Sequence, residues 1–139
     1  PAALRARISA GGASNPAGHL SGGGLGAGKV NFSDLSVSAQ FSKASPKLFL
    51  ACATGEHLKK ATLTHRKAGG EQVVFLEYVL TELLCTSYSS GATGSDSIPM
   101  DSFTLAFVKV EVDYGGQKAD GTAGGPVKVG FNMATNKKV

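Results

Sequence analysis

The sequence predicts a mainly β protein with one short helix. Two observations carry that expectation. From Leu35 onward the apolar residues alternate with polar ones or cluster in short runs rich in Val, Phe, Tyr and Thr, as strands do. Only one segment combines a helix start, an apolar helical face and a glycine stop. The 139 residues suit a single domain that buries roughly two-thirds of its unfolded surface.

Residues 11–28 hold eight glycines, and His19 is the only ionisable side chain among them. Such a segment cannot offset its ordering entropy with its own contacts. It is expected to be a flexible linker or a long loop ordered by something else, and long loops of this kind are usually functional. Leu35, Val37, Ala39 and Phe41 then alternate with Ser36, Ser38 and Gln40, the pattern of a half-buried strand. Ser45-Pro46 reads as an N-cap followed by proline at the first helical position. Leu48, Phe49, Cys52 and Ala53 share one helical face, and Gly55 supplies a left-handed stop. The helix is expected over residues 46–54, with Leu48, Phe49 and Cys52 packed on a sheet.

Residues 61–68 look extended, and Gly69-Gly70 predicts a two-residue hairpin turn into residues 71–80. The run Val73-Val74-Phe75-Leu76, resumed at Tyr78-Val79-Leu80, is apolar on both strand faces. Its β-branched and aromatic content favours strand over buried helix. Residues 83–88 continue that strand or pair with it, and residues 91–97 form a turn-rich loop. Residues 103–114 make the strongest strand. Val108, Val110, Val112 and Tyr114 lie on one face and Lys109, Glu111 and Asp113 on the other, yet Phe103, Leu105 and Phe107 fall on that second face. The switch predicts a bulge, or a strand whose two faces are both covered at one end. A loop over residues 115–126 leads to a last strand carrying Val127, Val129 and Phe131.

Several strands are thus apolar on both sides, while one short helix covers part of one side. A lone chain would expose an apolar patch, and large patches mark interfaces. The expectation is a structural protein that works by assembling with copies of itself.

Composition narrows the alternatives. Hydrophobic residues make up 42% and charged residues only 17%, so strong self-repulsion does not keep copies apart. No apolar run approaches the ~18 residues of a membrane span. The opening residues lack the apolar core of a signal peptide; Arg5 and Arg7, with no acid before Asp34, imitate a transit peptide, but the glycine content is wrong for an amphipathic helix. Cys52 and Cys85 sit in apolar segments and read as buried thiols, a single bridge between them being the alternative. Residues 1–70 carry nine Lys and Arg against two acids, and residues 71–139 five against eight, an asymmetry suited to two unlike surfaces if the halves stay apart in space.

Candidate chemistry is thin. Residues 23–29, Gly-Gly-Leu-Gly-Ala-Gly-Lys, fit the phosphate-binding pattern G-x-x-x-x-G-K, but Val30 stands where Ser or Thr must hold Mg²⁺, and a strand-like segment follows instead of a helix. His19, His57 and His65 match no metal motif, and no serine sits in a nucleophile elbow. No enzyme, cofactor or metal site is expected. A basic small β-barrel, with sequence pI near 9.2, that binds single-stranded nucleic acid is the alternative, although such proteins interleave aromatics with Lys and Arg on an exposed face.

Several segments together resemble the haemolysin-coregulated protein family, the tube protein of bacterial type VI secretion. They are Gly26-Ala27-Gly28-Lys29-Val30; Ala44-Ser45-Pro46-Lys47-Leu48, running on through Ala51-Cys52-Ala53-Thr54-Gly55 to His57; Arg66-Lys67-Ala68-Gly69-Gly70-Glu71; Gln117-Lys118-Ala119-Asp120-Gly121; Pro126-Val127-Lys128; and Asn136-Lys137-Lys138-Val139. Residues 1–10 fit poorly, and Ala10-Gly11 stand where the family carries an aromatic. The resemblance implies a β-barrel of two antiparallel or mixed sheets with one flanking helix, similar to phage tail-tube proteins. It implies one tube-protein domain over residues 1–139, with residues 1–28 as an opening remnant and glycine-rich extended loop and residues 29–139 as the barrel. Members form homohexameric rings that stack head to tail inside a contractile sheath, meet a spike protein and are expelled, some with effector cargo in the lumen. Assembly in the bacterial cytoplasm, secretion without a cleavable signal peptide, no nucleic acid and no membrane insertion follow from the same resemblance. The family's long early loop reaches neighbouring subunits, which makes Gly22, Gly23, Gly24, Gly26, Gly28 and Lys29 the candidate interface.

Overall fold

A computed structural model of the chain describes residues 6–15, 17–20, 24–66, 74–92, 94–95, 97–117 and 121–139. Its elements are β1 (Ala6–Ala10), β2 (Ala13–Ser14), β3 (Ala17–Leu20), β4 (Gly24–Ala27), β5 (Asn31–Phe32), β6 (Leu35–Gln40), α1 (Ser45–Thr54), β7 (His57–Arg66), β8 (Val74–Gly91), β9 (Met100–Gln117), β10 (Ala123–Asn132) and β11 (Lys137–Lys138). The protein is mainly β, with one short helix among the described residues, as its alternating sequence predicts. Pairing follows the order β1-β6-β9-β10-β11, with β8 joined to β7 and β9, and the pairs β2-β5 and β3-β4 stand apart. The chain divides into two compact units, residues 1–57 with 84–106 and residues 58–83 with 107–139.

In the first unit β6 lies between β1 and β9, antiparallel to both. Directly opposed residues share a face of an antiparallel pair, so the register Leu35↔Leu105, Val37↔Phe103 and Ala39↔Asp101 sets six side chains on one side. All six are buried. Ser36, Ser38, Thr104 and Ser102 take the other side. Residues 6–10 form β1 on the outer edge of β6, with a register shift between Ile8 and Ala10. Phe41 lies beyond the end of β6 and is exposed, and its N–H donates to Pro99 O at 2.8 Å.

The helix keeps its predicted limits but not its predicted cap or face. Ala44 occupies the N-cap position and offers no side-chain cap. Ser45 is instead the first helical residue, fully buried, and its hydroxyl turns inward. At the other end Gly55 adopts φ 68°, and both its N–H and that of Glu56 donate to Ala51 O, the left-handed stop expected of glycine. Ser45 and Ala51 are buried and Leu48 and Cys52 half-buried, whereas Phe49 and Leu50 are exposed. The inward stripe therefore runs 45-48-51-52, rotated from the expected 48-49-52-53, because the buried hydroxyl fixes the helix's orientation.

The glycine-rich segment forms an arm with its own ladders. Ser33 N–H donates to Gly12 O at 2.9 Å, β2 pairs with β5 through Ala13↔Phe32 and Ser14↔Asn31, and β3 pairs with β4 from Ala17↔Ala27 to Leu20↔Gly24. This is an antiparallel hairpin, more ordered than the linker or loop expected from composition.

In the second unit β7 pairs with β8; the predicted turn at Gly69-Gly70 lies outside the described residues. The strand β8 continues without interruption past Leu83 to Gly91. Glu82 has φ 52°, a left-handed conformation unusual for a non-glycine residue. It shifts the strand's phase, so that Leu80 and Leu83, three residues apart, are both buried. The phase switch predicted in β9 coincides with the strand's passage from one unit to the other after Ala106; beyond it, residues 106–113 are half-buried on both faces. The loop expected over residues 115–126 is largely strand. β9 extends to Gln117 and β10 begins at Ala123, with Ala123↔Gln117 and Pro126↔Gly115 paired around a register shift. A Cβ on Gly124 would stand 2.6 Å from Gly116 O; glycine is what permits this approach of backbones.

Candidate functional site

The second unit presents the surface that the two-faced strands foretold. Alternating valines favour an extended conformation, and the β9-β10 register opposes Val110↔Phe131, Val112↔Val129 and Tyr114↔Val127. These six side chains therefore share one face. At its outer end Tyr114 is 50% exposed, Val127 61% and Val129 51%. The opposite face carries Lys109, Glu111, Asp113 and Lys128, with Lys109 Nζ 3.2 Å from Glu111 Oε2 and Lys128 Nζ 3.9 Å from Asp113 Oδ2. The polar face is satisfied by its own ion pairs, each worth at most ~1 kcal/mol where exposed. At the outer end of the apolar face Tyr114, Val127 and Val129 stay exposed, and fully burying a Val-sized side chain is worth roughly 1.5–3 kcal/mol.

The candidate interface residues are only partly covered by the described structure. Gly22 and Gly23 lie outside it. Gly24 and Gly26 are in β4, opposite Leu20 and Gly18; Gly28 and Lys29 follow, with Lys29 exposed. Among the described residues the arm's strands pair only with one another. A two-stranded hairpin is marginal alone, and one this rich in glycine has few side chains with which to hold itself. Residues 24–27 of the phosphate-loop pattern form β4, and Gly28 and Lys29 lead to β5, a strand, so the helix N-terminus that would cradle phosphate does not follow them.

Other residues that could carry chemistry stay apart. His57 begins β7 and is exposed, while His65 is half-buried between the rings of Phe75 and Tyr78, each 6.3 Å away. Among the described residues no group of three or more His, Cys, Asp and Glu gathers as metal ligands would. A shallow hollow of about 300 Å³ lies beside Thr81, Glu82 and Lys109. No described helix is long and apolar enough to cross a membrane. The charge asymmetry of the sequence halves dissolves in space, because each unit draws on both halves. The first unit holds five Lys and Arg against four acids and the second nine against six.

A buried polar cluster escaped the sequence reading. Asp101 is 1% exposed and accepts from Ser45 Oγ and from Tyr88 OH at 2.8 Å. Ser45 Oγ in turn accepts from Ser42 N–H at 2.9 Å. Burial, and next the Asp101 carboxylate, push the Tyr88 phenol up from its ordinary value. The signal was present in parity: Asp101 shares a strand face with Phe103 and Leu105. Ser45 is engaged as both donor and acceptor, so the cluster pins the helix to the sheet.

Comparison with known proteins bears on what such a surface serves. The family described as type VI secretion system effector, Hcp, matches residues 7–114. Protein hcp1 of Pseudomonas aeruginosa is 47% identical over 110 residues, covering 78% of this chain and 68% of that one. A solved structure of a type six secretion system protein superposes with TM-score 0.85 at 33% identity, over 94% of this chain and 82% of that chain. Hcp1 from Salmonella typhimurium superposes with TM-score 0.68 at 29% identity, over 78% and 74%. With a family match over most of its length and a relative at 47% identity, this chain belongs to the Hcp family of type VI secretion proteins.

Proposed function

We propose that the chain is a structural tube subunit. Copies form a hexameric ring, rings stack head to tail into the inner tube within a contractile sheath and beneath a spike protein, and the tube leaves the cell, with effector cargo in the ring lumen. The observation that carries this reading is the exposed apolar ladder of Tyr114, Val127 and Val129 in a chain of this family. A second copy would cover that face, and such burial is the main favourable term in association. The arm supports the same reading. In a ring, Gly22, Gly23, Gly24, Gly26, Gly28 and Lys29 would lie against the neighbouring subunit, where closely approaching backbones require residues without side chains. The role asks for no cofactor and no catalytic residue.

Native mass spectrometry with negative-stain imaging of the purified protein tests this. The expected result is a ring of six times the 14.1 kDa chain mass. A chain that stays monomeric at tens of micromolar would overturn it. Binding of single-stranded oligonucleotides by that monomer would favour the nucleic-acid reading instead.

A further inference from the structure

Assembly leaves two thiols unused, and they meet in the first unit. Cys52 lies on α1 and Cys85 on β8, 33 residues apart. Both are free, Cys85 buried and Cys52 half-buried. Cys52 follows Phe49 by three residues on α1 and Cys85 precedes Tyr88 by three on β8, close enough for Cys52 to perturb the Cys85 thiol, which donates to Ser87 O at 3.3 Å. Contacts that owe nothing to sulfur hold the helix and the strand in place. The Phe49 ring meets the Tyr88 ring edge-on at 5.9 Å, and Ser45 and Tyr88 both donate to the buried Asp101. A local irregularity aims the thiol. Thr86 Oγ1 and Ser87 Oγ both reach Thr104 Oγ1, at 2.7 and 2.6 Å, so two successive residues of β8 face one of β9, as in a β-bulge. Cys85 and Tyr88, three residues apart, can then both address the helix.

We propose that Cys52 and Cys85 form a dithiol site that closes into an intramolecular disulfide when the chain meets a small-molecule disulfide oxidant. The Cys52 thiolate, on the more open side, attacks one sulfur of the oxidant and releases one small thiol. Cys85 then loses its proton to solvent and attacks the Cys52 sulfur of the mixed disulfide, expelling the second small thiol. Two protein thiols are oxidised and one disulfide is reduced to two thiols, so electrons and protons balance. The closed bond of about 2.05 Å joins two elements that the Phe49–Tyr88 and Asp101 contacts already hold together. Burial, then the neighbouring Cys52, push the Cys85 thiol up to about 11, so the second step is slow at neutral pH and accelerates as pH rises. The compartment in which the site closes rests on the secretion reading. The thiols stay reduced during assembly in a reducing cytoplasm, and the bond forms after export, where disulfides persist, clamping α1 to β8.

The test uses the purified full chain, reduced and then incubated with glutathione disulfide. The expected product has lost about 2 Da, presents no alkylatable thiol after unfolding, runs as a single chain without reductant, and returns to the starting mass with dithiothreitol. Its Tm should rise by about 10 °C, from closing a loop of this length in the unfolded state. Cys85→Ser should stop at a glutathione adduct on Cys52. Wild-type protein that stops at that same adduct, links between chains, or keeps two reactive thiols overturns the proposal. Thiol chemistry in the tube and export from cells are read separately. A chain that forms the bond but is never exported sinks the secretion reading alone, and an exported chain that cannot form it sinks the dithiol site alone.

Discussion

The hydroxyl of Ser45, in the first turn of α1, donates to the carboxylate of Asp101, which stands opposite Ala39 at the end of the buried β6-β9 ladder. Helix and sheet are therefore registered by a polar contact inside an otherwise apolar layer. A buried carboxylate that loses a donor bears its desolvation cost. Ser45→Ala is expected to destabilise by roughly 1–3 kcal/mol, by this route and not through a helix cap. Urea unfolding of Ser45→Ala, Tyr88→Phe and the double variant checks it. Because both donors serve one carboxylate, the two effects should not add; strict additivity would show that the shared contact does not matter.

The apolar face predicts a separation of folding from assembly. Val129 is exposed and opposite Val112, so Val129→Asp should leave the protomer's stability within about 0.5 kcal/mol of wild type. The same charge would have to be buried in an association covering that face. Sedimentation should then show loss of the oligomer with the melting of the chain almost unchanged. An intact oligomer would remove this face from the interface.

Stability should also fall in alkali. Cys85 titrates at about 11 when folded against an ordinary 9.0, so the folded chain holds that proton more tightly than the unfolded one. The associated stability is complete below pH ~9 and lost as pH rises through about 11. Tyr88, raised above its ordinary 10.0, contributes with the same sign at higher pH. Thermal melts under reducing conditions should show Tm descending across this window, and Cys85→Val should flatten the part that begins near pH 9. An unchanged descent would assign the effect to Tyr88 and other groups.

Two adjacent glycines offer an internal control. A Cβ at Gly124 would meet Gly116 O at 2.6 Å, whereas at Gly125 it would meet nothing within 4 Å. Gly124→Ala must displace backbone at the β9-β10 register shift and should cost roughly 1–3 kcal/mol. Gly125→Ala should be neutral or slightly stabilising, by up to about 1 kcal/mol, through the unfolded state. Denaturant midpoints of the two variants decide it; equal costs would contradict the close approach.

Local pattern alone determined much of this protein. Leu35, Val37 and Ala39 declared a strand with one buried face, Gly55 declared the end of a helix, and Val110, Val112, Val127 and Val129 declared strands whose apolar face needed covering. Each follows from a period or a conformational preference that a few neighbouring residues set for themselves. The tertiary structure decided the rest, because the deciding partner was far away along the chain. Ser45 looked like a cap until Asp101, 56 residues on, took its hydroxyl and rotated the helix's inward stripe from Phe49 to Ala51. Gly115 to Pro126 looked like a loop until Gly124 could lie against Gly116 and pair the backbones. The glycine arm read as a linker or loop, yet Ser33 reaches back to Gly12 and the arm's strands pair with one another. The charge difference between the two halves of the sequence vanished once both compact units drew residues from each half. Periodicity is a short-range property of the chain, whereas burial, register and charge balance belong to segments brought together by folding.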